Sequence, residues 1–79
     1  MEKKYTVCGK EVSLKPLTIR ESGNLIFEIG DENKRMNATL ELIQKTFEKS
    51  GVPVLLDDIH IGEFAEYLEA TLDVNGLKR

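Results

Sequence analysis

The chain has one cysteine and one histidine in 79 residues. A lone Cys8 excludes an intramolecular disulfide, and Cys8 with His60 is too little for a Cys/His metal cluster. Both absences fit a reducing, cytoplasmic setting. No apolar run reaches the length of a membrane span or of a signal-peptide core, so no membrane partner is expected. There is no Gly-rich phosphate loop, and no Ser/His/Asp or Cys/His set at a local catalytic spacing. A net charge of −3 argues against a nucleic-acid partner. The expectation is a protein that is not an enzyme, with no catalytic residues, no cofactor and no metal. Cys8 lacks an adjacent base or helix N-terminus and reads as a structural or surface thiol. His60 reads as a capping or surface residue.

Seventy-nine residues allow one domain, 1–79. A chain this size buries only about 60% of its unfolded surface, so its core is thin. Its organiser is the stretch 33–50. There Met36, Leu40, Ile43 and Phe47 fall four, three and four apart, on one face of a helix. Lys34, Arg35, Asn37, Glu41, Gln44, Lys45 and Glu48 lie between them and suit a wet face. Gly51 and Pro53 stop the helix.

Residues 3–17 read as a β-hairpin. Tyr5–Val7 and Val12–Leu14 alternate apolar with polar, and Gly9-Lys10 forms a two-residue loop with glycine first, as in a type II′ turn. That loop sets Val7 opposite Val12 and Tyr5 opposite Leu14, and all four share one face. A hairpin alone is marginal, so this face must lie on helices.

Pro16 ends the second strand, and Thr18-Ile19-Arg20-Glu21 is a capping box that opens a helix over 18–30. In it Ile19, Ile26 and Ile29 share a face, with Leu25 beside it. Gly23 in the middle costs roughly 1 kcal/mol relative to alanine. Val54-Leu55-Leu56 is either a third short strand or an extended link. A closing helix over 58–75 follows, with Asp57 and Asp58 marking its start and His60 a competing N-cap because Glu63 lies three residues on. Its stripe is Ile61, Phe64, Ala65, Leu68 and Leu72. Glu63, Glu66 and Glu69 line the other side as a solvated face, and Tyr67 belongs at the core edge. Asn75 and Gly76 end the helix, leaving 76–79 as a loose tail. The fold class is α+β, a hairpin packed on about three helices. Its core is expected to join Leu40, Ile43, Phe47, Phe64 and Leu68 under Val7, Val12 and Leu14.

Charge is uneven along the chain. Residues 1–20 hold Lys3, Lys4, Lys10, Lys15 and Arg20 against Glu2 and Glu11, while 57–73 hold Asp57, Asp58, Glu63, Glu66, Glu69 and Asp73 with no cation. The two ends attract within one molecule or between copies, or are simply solvated faces. The apolar residues off the main stripes, Leu25, Phe27 and Leu42, are the candidate partner-binding side chains.

The run Gly9-Lys10-Glu11-Val12-Ser13-Leu14-Lys15-Pro16-Leu17-Thr18-Ile19 resembles the opening of the small tail assembly chaperones of long-tailed bacteriophages and prophages. These commonly begin with a strand, a GKEY-x-L+PLT type stretch and a helix. A central amphipathic helix, a short acidic link and a closing helix follow, so the resemblance spans nearly the whole chain. Val12 stands where the family often has an aromatic residue, and Gly23 interrupts the first helix. The resemblance implies a non-enzymatic role in the host cytoplasm. Such a protein binds the tape measure protein, and possibly the tail tube protein, and self-associates into a homo-oligomer. It keeps the long helical tape measure chain soluble while the tail tube assembles. Two other classes remain open on the residues alone. One is a small prophage-encoded regulatory or adaptor module, the other a non-catalytic subunit of a larger complex.

Overall fold

The hairpin turn shows first where local pattern and tertiary contact part company. In the computed structural model, which describes residues 2–77, β1 (Lys3–Val7) and β2 (Lys10–Leu14) pair antiparallel with Tyr5 opposite Val12 and Lys3 opposite Leu14. The turn residues are Cys8 and Gly9, at φ 51° and 80°. Positive φ at both central positions is the type I′ pattern, not the expected II′ loop at Gly9-Lys10. The cause lies in the last helix. The Glu66 carboxylate accepts from the Cys8 backbone N–H at 3.1 Å and from its thiol at 3.5 Å, which fixes residue 8 in the turn. The register differs from the expected one by two residues, and side chains alternate with period two, so no residue changes face. Val7 and Leu14 are buried, with Tyr5 and Val12 packed beside them.

The capping box forms as the spacing predicts. The Glu21 N–H donates to Thr18 Oγ1 at 3.2 Å, and the Thr18 N–H donates to Glu21 Oε1 at 2.9 Å. The helix it opens is a single turn, α1 (Ile19–Ser22), because Gly23 takes φ 57° and ψ −128° and breaks it. A second short helix, α2 (Leu25–Ile29), starts afresh. The break re-phases the apolar residues. Leu25 goes inside, while Ile19 and Ile26 face water, so the expected Ile19–Ile26–Ile29 face does not form.

The central helix α3 spans Arg35–Lys49. It begins two residues later than expected because Asp31 Oδ1 takes the Asn33 N–H at 2.9 Å in a local turn. The link after it is not a third strand: Val54 and Leu55 are unpaired, and Leu56–Asp58 form one 3₁₀ turn. The last helix, α4, spans Ile61–Val74 behind the N-cap His60, whose backbone N–H donates to the Glu63 carboxylate at 3.1 Å.

Both long helices end in the same way. Gly51 and Gly76 adopt φ 79° and 72° just past the caps. The next residue bonds back to the third-last helical carbonyl, Val52 N–H to Phe47 at 3.0 Å and Leu77 N–H to Leu72 at 2.8 Å. This is the Schellman arrangement, with its usual apolar contact between the two residues so joined. Leu77 therefore packs on the core rather than starting a loose tail. Lys78 and Arg79 lie outside the described residues.

The interior has two clusters. One joins Val7 and Leu14 of the hairpin to Ile43 and Phe47 of α3 and Ala70 of α4, with Val12, Phe64, Tyr67 and Leu68 packed around them. The Phe47 and Tyr67 rings meet at 5.4 Å, tilted by 53°. The other joins Leu25, Ala38 and Leu42, with Leu17, Leu72 and Leu77. The expected core is thus met at Ile43, Phe47 and the hairpin, with Phe64 and Leu68 packed half-buried against it, but Leu40 belongs to neither cluster. On α4 the inward residues are Ala70 and Thr71, while Ile61 and Ala65 of the expected stripe are exposed. The small side chains at 70 and 71 face the core most directly, with Phe64, Leu68 and Leu72 packed at its edges, so only Ile61 and Ala65 of the expected stripe lie outside.

A polar joint fixes the strand-to-helix corner. Asn75 Oδ1 accepts from the Leu17 N–H at 2.8 Å, and Asn75 Nδ2 donates to Thr46 Oγ1 at 3.0 Å and to the Thr71 carbonyl at 2.9 Å. Ser50 Oγ accepts from the Lys15 N–H at 2.9 Å. Lys49 Nζ donates to the Pro16 carbonyl at 2.8 Å and to Glu21 Oε1 at 2.6 Å.

Candidate functional site

The groups with intrinsic chemistry are spent on holding the fold. Cys8 is partly buried, and burial pushes its thiol above the ordinary value, with the Glu66 carboxylate beside it adding to the rise. A thiolate is therefore disfavoured where a nucleophile would need it. Glu66 clamps the turn and Glu63 serves the α4 cap, so the acidic stripe is more than a solvated face. Tyr5 and Lys3 both reach Asp73, the lysine at 2.8 Å. Burial first, and then the bond to Asp73, raise the Tyr5 phenol. The Lys3 ammonium is raised by its bond to the Asp73 carboxylate. The basic front and acidic back thus touch within one molecule at the Lys3–Asp73 pair, between the hairpin and α4. Among the described residues no three His, Cys, Asp or Glu side chains are placed to hold a metal ion, and no helix is long and apolar enough to cross a membrane.

What remains is an apolar surface. Between the first half of α3 and the start of α4 lies a groove of about 280 Å³. Met36 and Leu40 form one wall. Leu56, Ile59 and His60 of the link, with Ile61 and Phe64 of α4, form the other. Met36 is 63% exposed and Ile61 96%. Leu55, next to the groove in sequence, is exposed as well. A shallower hollow continues past Met36 and Phe64 to Leu68 and Arg35. Across Leu40 and Leu56 lies a wider hollow of about 490 Å³, whose walls are mostly polar, among them Glu28, Lys34, Glu41 and Gln44.

The sequence explains why this face is bare. The stripe Met36–Leu40–Ile43–Phe47 is longer than the hairpin that roofs it, so Ile43 and Phe47 are covered and Met36 and Leu40 are not. The turn of α4 toward Ala70 and Thr71 leaves Ile61 outside at the other wall. An isolated exposed apolar side chain needs no explanation, but several around one groove mark an interaction surface. A groove with apolar walls on two helices accepts the apolar side of a further helix, and Met36 adds a side chain that adapts to varied shapes.

The three expected partner-binding residues are not brought together here. Leu25 and Leu42 are 3% and 1% exposed and form the second core cluster with Ala38. Leu42 falls off the stripe of α3 and yet meets Leu25 of α2, a partner that helical periodicity within one segment does not show. Phe27 is 78% exposed, on α2. Of the residues that line the groove, Leu40 and Phe64 are expected in the core, Met36 and Ile61 on apolar stripes, and His60 as a capping or surface residue. The signal that separates them is the length of the α3 stripe against the five-residue strands above it. No known family model, curated protein or solved structure matches the chain.

Proposed function

We propose that this chain is a non-enzymatic tail assembly chaperone of a long-tailed phage or prophage, acting in the host cytoplasm. Its client is the tape measure protein, and the tail tube protein is a second partner. The observation that carries the reading is the apolar groove between Met36–Leu40 and Ile59–Phe64. A tape measure protein is a long helical chain with apolar faces that aggregate when uncovered. The groove offers such a face a matching surface, at a place where the fold has no element of its own to cover it. The order of elements, a hairpin and then helices, also agrees with the family resemblance of residues 9–19.

Co-expression with a tape measure protein from the same genome tests this. The expected result is more soluble tape measure protein, co-purification of the two, and loss of both with Met36→Lys, a change at an exposed position that leaves the fold intact. A tape measure protein equally soluble with and without this chain, and no co-purification, would overturn the proposal in favour of an adaptor module.

A further inference from the structure

We infer that the outer edge of β2 takes an extended peptide of a partner protein as a third, antiparallel strand, read as an apolar residue followed two positions on by an acid. This surface is separate from the groove between α3 and α4, so the inference does not depend on the chaperone reading. Its first support is the backbone. The sheet has two strands, so each strand has one edge with no strand beside it. A two-residue turn closes with the Val7 C=O accepting from the Lys10 N–H, which makes Val7–Lys10, Tyr5–Val12 and Lys3–Leu14 the bonded pairs. The N–H and C=O groups of Lys4 and Thr6 therefore point out along β1, and those of Glu11 and Ser13 along β2. Beside β1 stands α4: Lys3 and Tyr5 reach Asp73, and Glu66 takes the Cys8 N–H. On the β2 side, among the described residues, nothing bonds the backbone of Glu11 or Ser13 on that edge, and Ser50 takes the Lys15 N–H only past the strand's end. An open edge of this kind is a template for a further strand.

Side-chain room lies beside the same strand. Lys10, Val12 and Leu14 share the inward face of β2. A hollow of about 280 Å³ reaches from Val12 to Val52 and Val54 of the link after α3, lined also by Phe47, Tyr67 and Lys10. In an antiparallel third strand the residue opposite Val12 turns its side chain to this inward face, where an apolar group fits. Charge decides the residue opposite Lys10. The inward face of the hairpin carries a lysine at each end. Lys3 is held by Asp73 at 2.8 Å, whereas Lys10 has no carboxylate partner among the described residues. Lys10 is also the one charged side chain among the described residues that line the hollow. Glu11 lies on the opposite face, 3.9 Å from Lys4. An acid on the incoming strand therefore supplies Lys10 with the partner that Asp73 supplies to Lys3. This is strand addition, in which main-chain bonds hold the peptide and alternate side chains select it.

The test is a nitrogen–proton NMR titration of the full chain with the synthetic peptide acetyl-Thr-Thr-Leu-Thr-Glu-Thr-amide, up to about 2 mM, the range of weak strand addition. Its leucine falls opposite Val12 and its glutamate opposite Lys10. The expected result is saturable binding in which the Glu11 and Ser13 amide signals shift and their hydrogen exchange slows. Lysine in place of the peptide's glutamate should weaken binding roughly tenfold, and Lys10→Glu, a change at an exposed position, should restore it. Methylating the backbone nitrogen of the threonine between leucine and glutamate should abolish binding, because that N–H bonds the Glu11 C=O. Methylating the leucine nitrogen, which faces away from β2, should leave binding intact. Glu11 and Ser13 signals unmoved at about 2 mM peptide would overturn the inference, as would shifts at Met36, Leu40 and Ile61 instead. So would binding indifferent to which nitrogen is methylated. Glu11 and Ser13 signals that move with the chain's own concentration, without peptide, would give the edge to a second copy and overturn the partner named here. Charge reversal without rescue would overturn the place of the acid opposite Lys10.

Discussion

Replacing Asn75 with alanine removes one amide that three segments share. Its oxygen accepts from the Leu17 N–H, and its nitrogen donates to the Thr46 hydroxyl and the Thr71 carbonyl. The losses are unequal. The Thr71 carbonyl also receives the Asn75 backbone N–H at 3.2 Å, so it keeps a partner. Thr46 is fully buried and its Oγ1 would lose its donor. The Leu17 N–H, between Pro16 and the α1 cap, would lose its acceptor. Leaving a buried polar group unpaired costs about 1–3 kcal/mol. Asn75 is only partly buried, so water reaches part of the gap, and about 2–3 kcal/mol in all is the expected loss. In a domain this size each kcal/mol moves the melting temperature by about 4–8 °C, so a fall of roughly 10–20 °C is expected. Asn75→Asp keeps the oxygen for Leu17 and loses the donor to Thr46, and should fall between the two. Thermal melts by circular dichroism read all three proteins. An Asn75→Ala protein that melts within two or three degrees of the parent, an interval of about half a kcal/mol, would refute the reasoning.

The Lys49 ammonium, and then the Thr18 N–H, hold the Glu21 carboxyl below its ordinary 4.5. A carboxyl held low stabilises the fold above its unfolded value and ceases to as it protonates. The melting-temperature gap between the parent and Glu21→Gln should therefore be full above about pH 4.5 and close below it. A gap constant from neutral pH to pH 3 would remove the Lys49–Glu21 pair from the account. Cys8→Asn should raise stability by roughly 0.5–1 kcal/mol, because asparagine tolerates the left-handed turn position that costs cysteine about 1–2 kcal/mol. A lower melting point would mean that the thiol's packing and its contact with Glu66 outweigh backbone strain.

Local chemistry made much of the fold legible. The Thr18–Glu21 box, the glycines after the two long helices and the alternation in the hairpin each act within a few residues, and each appears where the sequence placed it. What was not legible depended on contacts far along the chain. The turn moved to Cys8-Gly9 because Glu66 reaches it across 58 residues. Leu42 went inside because the break at Gly23 let α2 turn Leu25 toward it. The face of α4 was read in part: Phe64, Leu68 and Leu72 pack on the core, but its most buried residues are the small Ala70 and Thr71, whereas an apolar stripe is counted from the large ones. The groove was hidden for a related reason. Periodicity finds an apolar face but not how much of it another element covers.

The hairpin's apolar face rests on a helix made much later. Lys3 meets Asp73, and Val7 and Leu14 pack with Ala70. During synthesis the two strands can pair at once, since their contact is local, but the surface they roof is complete only when residue 70 has emerged. At about 5–20 residues per second, some sixty residues take roughly 3–12 s. Until α3 emerges each nascent chain presents Val7, Val12 and Leu14 uncovered, and until residue 70 emerges Ile43 and Phe47 of α3 cover them only in part. A chain whose mature form is proposed to shield the apolar surface of another protein therefore begins with unshielded apolar surface of its own.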